Sequence, residues 1–465
     1  MEFATSINKG LKKLSYLYTV TTIIKSKNKI TTSGNNKFRK NLIFNFIFTI
    51  LSTLSTFILM KYTFTYFNKD QENYGLWLMI FSFLSYIYIM DFGLSNGLRN
   101  LVTPNIGKDD KKVNNYISNN FSFIFIISIF LLIITNIILY SLPLNFMNNI
   151  NGFKVNLKTF KNFITILINL QILYFFFSGI KPIFHSYSMS YLINISQFFG
   201  NVLTIFLIYI SIITNTNNNW ILLAWIFIGS QIIVIVSISL IVILKKDIKI
   251  SWQFDKKVLS ELINIGFKFF FLQISNLILF NSLPILIGVS LSLIDASRFQ
   301  LSYKLLSIYI MVFSIIMSPT WTLVLEKSNQ KDFAGIKNIF DKLLKITIFF
   351  SVLIIMSSFL LNSIVFIWMG ENFNISFFFS ILMAIYIILN IICAVMQGLM
   401  NGLNLFKSQI AGYLIGAIFL LLLTLIFKVF AIINIELILI LGIISLMIPC
   451  LFMIITFNKF IKRSA

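Results

Sequence analysis

The chain has 465 residues, of which 58% are hydrophobic and 11% charged, against about 45–50% apolar and about 25% charged in an ordinary soluble domain. This excludes a soluble enzyme and leaves apolar material for about a dozen spanning helices of ~20 residues each. A net charge of +22 on a soluble chain would suggest nucleic acid, but on an apolar chain the placement of the charges decides, and it calls for no nucleic-acid partner.

Unbroken apolar runs and only six prolines favour helices over a barrel, whose strands would alternate apolar and polar residues. Residues 1–40 place Phe3, Ile7, Leu11 and Leu14 at helical spacing, with Lys9, Lys12 and Lys13 on other faces. The segment reads either as a basic amphipathic helix on an anionic leaflet or as a disordered basic tail. No apolar stretch long enough for a signal peptide precedes the first span, so that span directs insertion. Spans are predicted at 41–66, 74–95, 118–140, 162–180, 190–213, 220–244, 262–290, 300–324, 346–368, 377–398, 410–430 and 436–457. An even number puts both termini on one side. With the N-terminus inside, 28 of the 37 basic residues fall in cytoplasmic segments, as the positive-inside rule requires. The expected location is a bacterial inner membrane, with N- and C-termini cytoplasmic.

Sliding the chain on itself by about 225 residues aligns Tyr74-Gly75-Leu76-Trp77 with Phe299-Gln300-Leu301-Ser302, and the basic loop at 108–112 with that at 331–337. Six spans per half give both halves one orientation, a parallel repeat about an axis along the membrane normal. The expected fold class is therefore an all-α polytopic membrane protein of about 12 helices, arranged as two parallel six-helix bundles around a central cavity. The bundles are 41–245 and 246–457, preceded by the segment 1–40 and followed by a basic tail, 458–465.

Catalytic chemistry is sparse. The single histidine, His185, reads as an interfacial loop residue, and Cys393 and Cys450 lie in apolar runs as small hydrophobes. Metal sites built on His or Cys clusters are excluded by number, and no phosphate-cradling loop of the nucleotide-hydrolase type occurs. The longest external stretch, near 141–161, is about twenty residues. No catalytic residue, metal or cofactor is expected, and the chain is read as a non-enzyme.

Tyr74-Gly75-Leu76-Trp77, followed after a span by Asp91-Phe92-Gly93-Leu94-Ser95-Asn96-Gly97-Leu98-Arg99-Asn100, closely resembles the second-helix signature of Wzx-type O-antigen flippases. These belong to the multidrug/oligosaccharidyl-lipid/polysaccharide (MOP) exporter superfamily. The resemblance covers residues 74–120, with the basic loop and Tyr116-Ile117-Ser118 included, and is joined by Arg298-Phe299-Gln300-Leu301-Ser302-Tyr303-Lys304-Leu305 at the eighth span. It implies a flippase moving an undecaprenyl-diphosphate-linked oligosaccharide, the O-antigen repeat unit, from the cytoplasmic to the periplasmic leaflet by alternating access. It further implies H+ or Na+ antiport, and a polysaccharide polymerase and chain-length regulator as partners.

A diphosphate crosses hydrocarbon only in a hydrated cavity lined with cations. Candidate lining cations are Lys61, Lys268, Arg298 and Lys304; each reads alternatively as an interfacial ion pair or a snorkelling side chain. Asp295 stands three residues before Arg298 and can pair with it, and Asp91 stands eight before Arg99. Asp91, Arg99 and Asp295 are candidates for gating or ion coupling, or for helix-end ion pairs. Gly93 and Gly97 have the spacing of close helix packing, and Pro284 and Pro319 stand where helices bend or merely tolerate a kink. Asn169, Gln171, Asn194, Gln197, Asn276, Asn281, Asn390 and Gln397 either bind sugar hydroxyls or bond helix to helix. The rival readings are a drug or cation exporter of the same superfamily, and a membrane-embedded polysaccharide polymerase or glycosyltransferase.

Overall fold

The computed structural model describes residues 32–464 apart from 404 and 431; the side chains of residues 32–40, 42, 268, 269, 315, 316, 318, 319, 321, 322, 329, 463 and 464 lie outside the description. The amphipathic reading of Phe3, Ile7, Leu11 and Leu14 thus falls outside the described residues. In chain order the helices are α1 (Thr32–Tyr66), α2 (Gln71–Leu84, continued by a tight turn through Asp91), α3 (Leu94–Val102), α4 (Asp110–Ser141), α5 (Leu157–Ser178) and α6 (Lys181–Ser186). There follow α7 (Tyr191–Ile213), α8 (Trp220–Lys246), α9 (Lys256–Ser290), α10 (Leu293–Asn329), α11 (Phe333–Phe359), α12 (Leu361–Met369), α13 (Phe377–Gly402), α14 (Phe406–Val429) and α15 (Ile435–Ser464). No strand interrupts them among the described residues.

The polar breaks between apolar runs are where these helices start. Asp70, Asp109, Asn156, Asn219, Asp255, Ser292, Asp332 and Ser376 each accept a hydrogen bond from a backbone N–H of the first turn that follows, satisfying donors that have no partner within a helix. Ten of the described helical segments are long and apolar enough to cross a membrane, and α11 with α12, bent by 66°, makes an eleventh. The charge-bearing α10 runs between the same two ends and completes twelve traverses. Helices overrun the predicted spans at several places: α10 begins at Leu293 rather than residue 300, and α15 continues through most of the expected tail to Ser464. Hydropathy marks the part of a helix that sits in hydrocarbon, whereas hydrogen bonding carries the helix past it.

Asn41 donates to the Ser188 carbonyl (2.8 Å), and the Phe333 and Phe460 rings meet at 5.7 Å. Both described termini therefore lie at one end, shared with the lysine-rich turns; it is called the basic end below. The opposite end gathers the turns at 67–70, 142–156, 214–219 and 370–376: Asn218 N donates to Tyr66 O (3.0 Å), and Leu293 N to Asn151 O (3.1 Å).

Helices α1, α4, α5, α7 and α8 pack with one another, as do α10, α11, α13, α14 and α15, and α9 packs on α14. Between these two bundles α2 crosses α10 and α9, while the first half of α9 lies against α3. Glycine makes the crossing possible. A Cβ on Gly75 would stand 1.8 Å from the Leu293 carbonyl oxygen, one on Gly97 would stand 2.5 Å from the Leu262 carbonyl oxygen, and Gly93 and Gly266 abut backbone to backbone. Gly93 and Gly97 thus have the packing role their spacing suggested.

At the end opposite the basic one the bundles are tied by Lys69 to Glu371 (3.3 Å), Gln71 to the Asn372 carbonyl (3.0 Å) and Trp368 Nε1 to the Phe57 carbonyl (3.1 Å). At the basic end Tyr116 donates to Glu261 near the start of α9 (2.6 Å). The linker between α8 and α9 is an extended strap on α4. The N–H groups of Lys249, Ser251, Gln253 and Asp255 donate to the side chains of Asn114, Ser118, Ser122 and Asn119. Two residues of strand advance ~6.6 Å and four of helix ~6.0 Å, so side chains at 114, 118 and 122 meet alternate amides. Ile250, Trp252 and Phe254 between them are exposed, and Trp252 packs on Phe125 (5.5 Å).

Gly229 supplies a control for the crossing, because a Cβ there meets nothing within 4 Å. Gly75→Ala is expected to destabilise the purified protein by about 1–3 kcal/mol or more, as overpacking does, whereas Gly229→Ala should be neutral or gain up to ~1 kcal/mol of helix propensity. Thermal unfolding midpoints of the two variants check this.

Candidate functional site

Two adjoining cavities, about 270 and 280 Å³, lie in the first bundle and share Tyr88 and Lys181. The first is lined by charged groups, Asp91, Arg99, Lys181 and His185, together with Gln273 of α9. The second is lined by the carboxamides of Gln171, Gln197, Asn201 and Gln231 and by the rings of Phe81 and Phe227.

The break after α2 shapes the first cavity. Phe92 (φ 51°) and Gly93 (φ 78°) are both left-handed, a conformation that glycine takes without strain, and the chain turns there into α3. The Asp91 carboxylate accepts from Gly93 N (2.9 Å) and Ser95 N (3.2 Å), capping the start of α3. The expected pairing of Asp91 with Arg99 is not formed among the described residues: the carboxylate is taken by backbone donors two and four residues on. Arg99 is exposed on the cavity wall, and His185 Nδ1 meets Ser190 Oγ at 2.9 Å.

Lys181 is a group that the sequence places in a short cytoplasmic loop. The chain instead turns only briefly after Ser178 and re-enters helix at α6, with Pro182 at its first turn. The Lys181 ammonium donates to Tyr174 Oη (3.1 Å) and lies 4.9 Å from the Tyr174 ring and 5.8 Å from the Tyr88 ring. Such contacts stabilise a partly desolvated cation by about 0.5–2 kcal/mol. The retrievable signal was Tyr174, seven residues earlier and so two helical turns away on the same face. Gln273 reaches this cavity from the second bundle, and its Oε1 is buried without a hydrogen-bond partner among the described residues.

Between the bundles, Gln300 of α10 donates to Ser82 of α2 (2.6 Å), and Thr53 of α1 donates to the Met311 sulfur (2.8 Å). Residues 300, 304, 307 and 311 share one helical face, so Lys304 lies on the stripe of α10 that faces the first bundle. Lys304 has neither an ion pair nor a hydrogen bond from its ammonium among the described residues. It stands eleven residues into α10, ~16 Å along the axis and deeper than the predicted span start implied.

Arg298 pairs with Asp295 (2.8 Å), as the spacing suggested, and also donates from Nε to the Phe373 carbonyl (2.6 Å); Asp295 in turn accepts from Ser292 Oγ (2.6 Å). These bonds staple α10 to the turn before α13. Lys61 is exposed beside Leu54 and Ile58, on the face of α1 opposite its contacts with α7. The Lys268 and Pro319 side chains lie outside the described residues. Of the polar span residues, Asn169 bonds Asn136 (2.8 Å), Asn194 bonds Asn45 (3.0 Å) and Thr49 (2.8 Å), and Asn390 bonds the Tyr386 carbonyl (2.8 Å). Gln171 and Gln197 line the second cavity, and Asn276 Oδ1 is buried without a partner among the described residues.

The cap at Asp91 yields a direct measurement. Asp91→Ala is expected to cost about 1 kcal/mol of stability, the usual loss of a helix N-cap, whereas Asp91→Asn keeps an acceptor and should cost less than half of that. Unfolding midpoints of the two variants distinguish a capping carboxylate from one whose charge itself is needed.

No family model and no curated protein matches the chain. Among solved structures it is similar to an inward-facing multidrug resistance MATE family transporter of the MOP superfamily, with 14% identity, TM-score 0.63, and 91% of this chain and 98% of the other covered. The outward-facing form matches at 13% identity and TM-score 0.63, with 94% and 99% covered. A MOP superfamily transporter from Pyrococcus furiosus, described as having a binding pocket of reverse polarity, matches at 14% identity and TM-score 0.60, with 92% and 96% covered. The chain has the fold of the MATE transporters of the MOP superfamily.

Proposed function

We propose that the protein is a flippase that moves an undecaprenyl-diphosphate-linked oligosaccharide, an O-antigen repeat unit, from the cytoplasmic to the periplasmic leaflet. The observation that carries this reading is Lys304, a cation with no partner among the described residues, on the stripe of α10 that faces the first bundle. A cation held there without a counter-charge favours an anionic cargo. Lys181 and Arg99 bring the same sign to the first cavity, against one carboxylate in its lining, Asp91, which is held by backbone N–H groups.

The basic end faces the cytoplasm by the positive-inside rule. Ties between the bundles at the other end, from Lys69, Gln71 and Trp368, correspond to closure on the periplasmic side, and a rocking motion that breaks them would release cargo there. Proton or sodium antiport would drive the cycle. Arg298 with Asp295 is assigned to holding the outer end of α10, and Lys61 to the lipid face. Drug export is the second reading, favoured by the aromatic walls at Phe81, Phe227, Tyr88 and Tyr174, a lining suited to organic cations.

In cells dependent on this protein, Lys304→Ala is expected to lower surface polysaccharide on the order of tenfold or more, the equivalent of a charge-assisted contact of ~1.5–3 kcal/mol, and to raise unexported lipid-linked oligosaccharide. Lys304→Arg should retain most export. Unchanged export by Lys304→Ala at matched protein level removes Lys304 from the cargo path; surface polysaccharide that persists when the protein is deleted sinks the flippase assignment, and a drug-resistance phenotype in its place establishes the second reading.

A further inference from the structure

We infer that the two cavities of the first bundle form one divided anion and sugar site, in which Lys181 at the shared neck takes a phosphate and the amide-lined chamber beyond it takes the sugar ring attached to that phosphate. The inference rests on the proposed diphosphate-linked cargo and adds to it a place where the sugar itself is read.

The chemistry of the linings divides at Lys181. On one side stand Arg99, His185 and Lys181, groups that can bond a phosphate, together with the Asp91 carboxylate, whose oxygens are turned to the N–H groups of Gly93 and Ser95. On the other side no carboxylate contributes to the lining; Lys181 is the charged residue there, and the polar surface comes from carboxamides and hydroxyls. Each carboxamide offers both donors and an acceptor, which matches sugar hydroxyls, themselves donors and acceptors. Rings supply the complementary apolar surface for the C–H face of a pyranose: Phe81 and Phe227 pack edge to face at 4.6 Å, and Tyr88 stands at the neck. An organic cation would find no counter-charge in this chamber.

The chamber is built and braced. Gln231 Nε2 donates to Asn201 Oδ1 (3.3 Å), and Asn201 Nδ2 donates to Ser55 and Thr56 of α1 (3.0 Å each). A Cβ on Gly200 would stand 2.3 Å from Gln231 Oε1, so the glycine leaves room for that carboxamide. A volume of about 280 Å³ is that of about nine waters at ~30 Å³ each, the scale of one pyranose rather than of a whole oligosaccharide. The site would therefore read the sugar next to the phosphate and leave the rest of the chain in the space between the bundles.

The test uses the full-length protein in lipid nanodiscs and three soluble probes: inorganic phosphate, glucose 1-phosphate and N-acetylglucosamine 1-phosphate, with affinity measured by calorimetry. At least one sugar phosphate is expected to bind at least about tenfold more tightly than phosphate, the scale of one or two additional hydrogen bonds. Gln231→Leu and Gln197→Leu should each remove most of that increment and leave phosphate affinity within about twofold, whereas Lys181→Met should weaken all three probes about tenfold or more. Gln197 is exposed to the chamber, so its variant separates a binding defect from a folding defect, which the unfolding midpoints also report. Equal affinity of wild-type protein for phosphate and both sugar phosphates overturns the inference, as does an increment that survives both Gln variants. The cargo assignment stands or falls separately on whether surface polysaccharide is lost when the protein is deleted.

Discussion

A polar group carried into hydrocarbon has no water to bond and must find its partner within the protein. That constraint sorts the embedded polar residues of this chain. Asn136 with Asn169, and Asn194 with Asn45 and Thr49, meet each other's needs and bond helix to helix. Arg298 spends its donors on Asp295 and a carbonyl, and Asp91 spends its carboxylate on two amides. Among the described residues some groups are left over, Gln273 Oε1 at the first cavity and Asn276 Oδ1 on the same helix, but also Asn120 in α4 and Gln409 Oε1 in α14. Groups satisfied inside the protein hold its shape, and of those left unsatisfied Gln273 is the one that lines a cavity, where a cargo could reach it.

The twelve traverses and the side on which loops gather were legible because they depend on local composition and on where lysine accumulates. The same is true of Asp295 and Arg298, whose spacing alone brings them together on a helix. Which face of a helix looks at which neighbour was not legible. Lys61 and Lys304 are equivalent in sequence, each an isolated lysine in an apolar run, and they separate only once Gln300 and Met311 are seen to touch the first bundle while Leu54 and Ile58 are seen exposed. Lys181 was missed for a related reason. A short polar stretch reads as a loop, whereas here α6 resumes the helix and turns the lysine onto two tyrosines.

The sequence offset that pairs residues 74–77 with 299–302 acquires a spatial meaning. It relates α2 to α10, and these two helices meet across the seam at Gly75 and Leu293 and again at Ser82 and Gln300. Equivalent helices of a repeat meet where they lie beside its axis. The Tyr74-Gly75-Leu76-Trp77 stretch proves to be core: Tyr74 and Leu76 are fully buried, and Trp77 packs among Phe67, Phe81, Phe163, Trp220 and Phe227. Residues 74–77 build the crossing and line neither cavity, so a shared fold leaves the cargo open.

The strap from Lys249 to Asp255 sets a limit on any motion of one bundle against the other. A slack tether would let the second bundle translate freely, but this one is bonded amide by amide along α4. Any length of chain free to flex between the bundles therefore begins at Asp255 and not at Lys246, near the glycine contact of α3 with α9. Rotation about that point would displace Glu371 and Trp368 most, because they lie at the opposite end of helices that rise ~1.5 Å per residue.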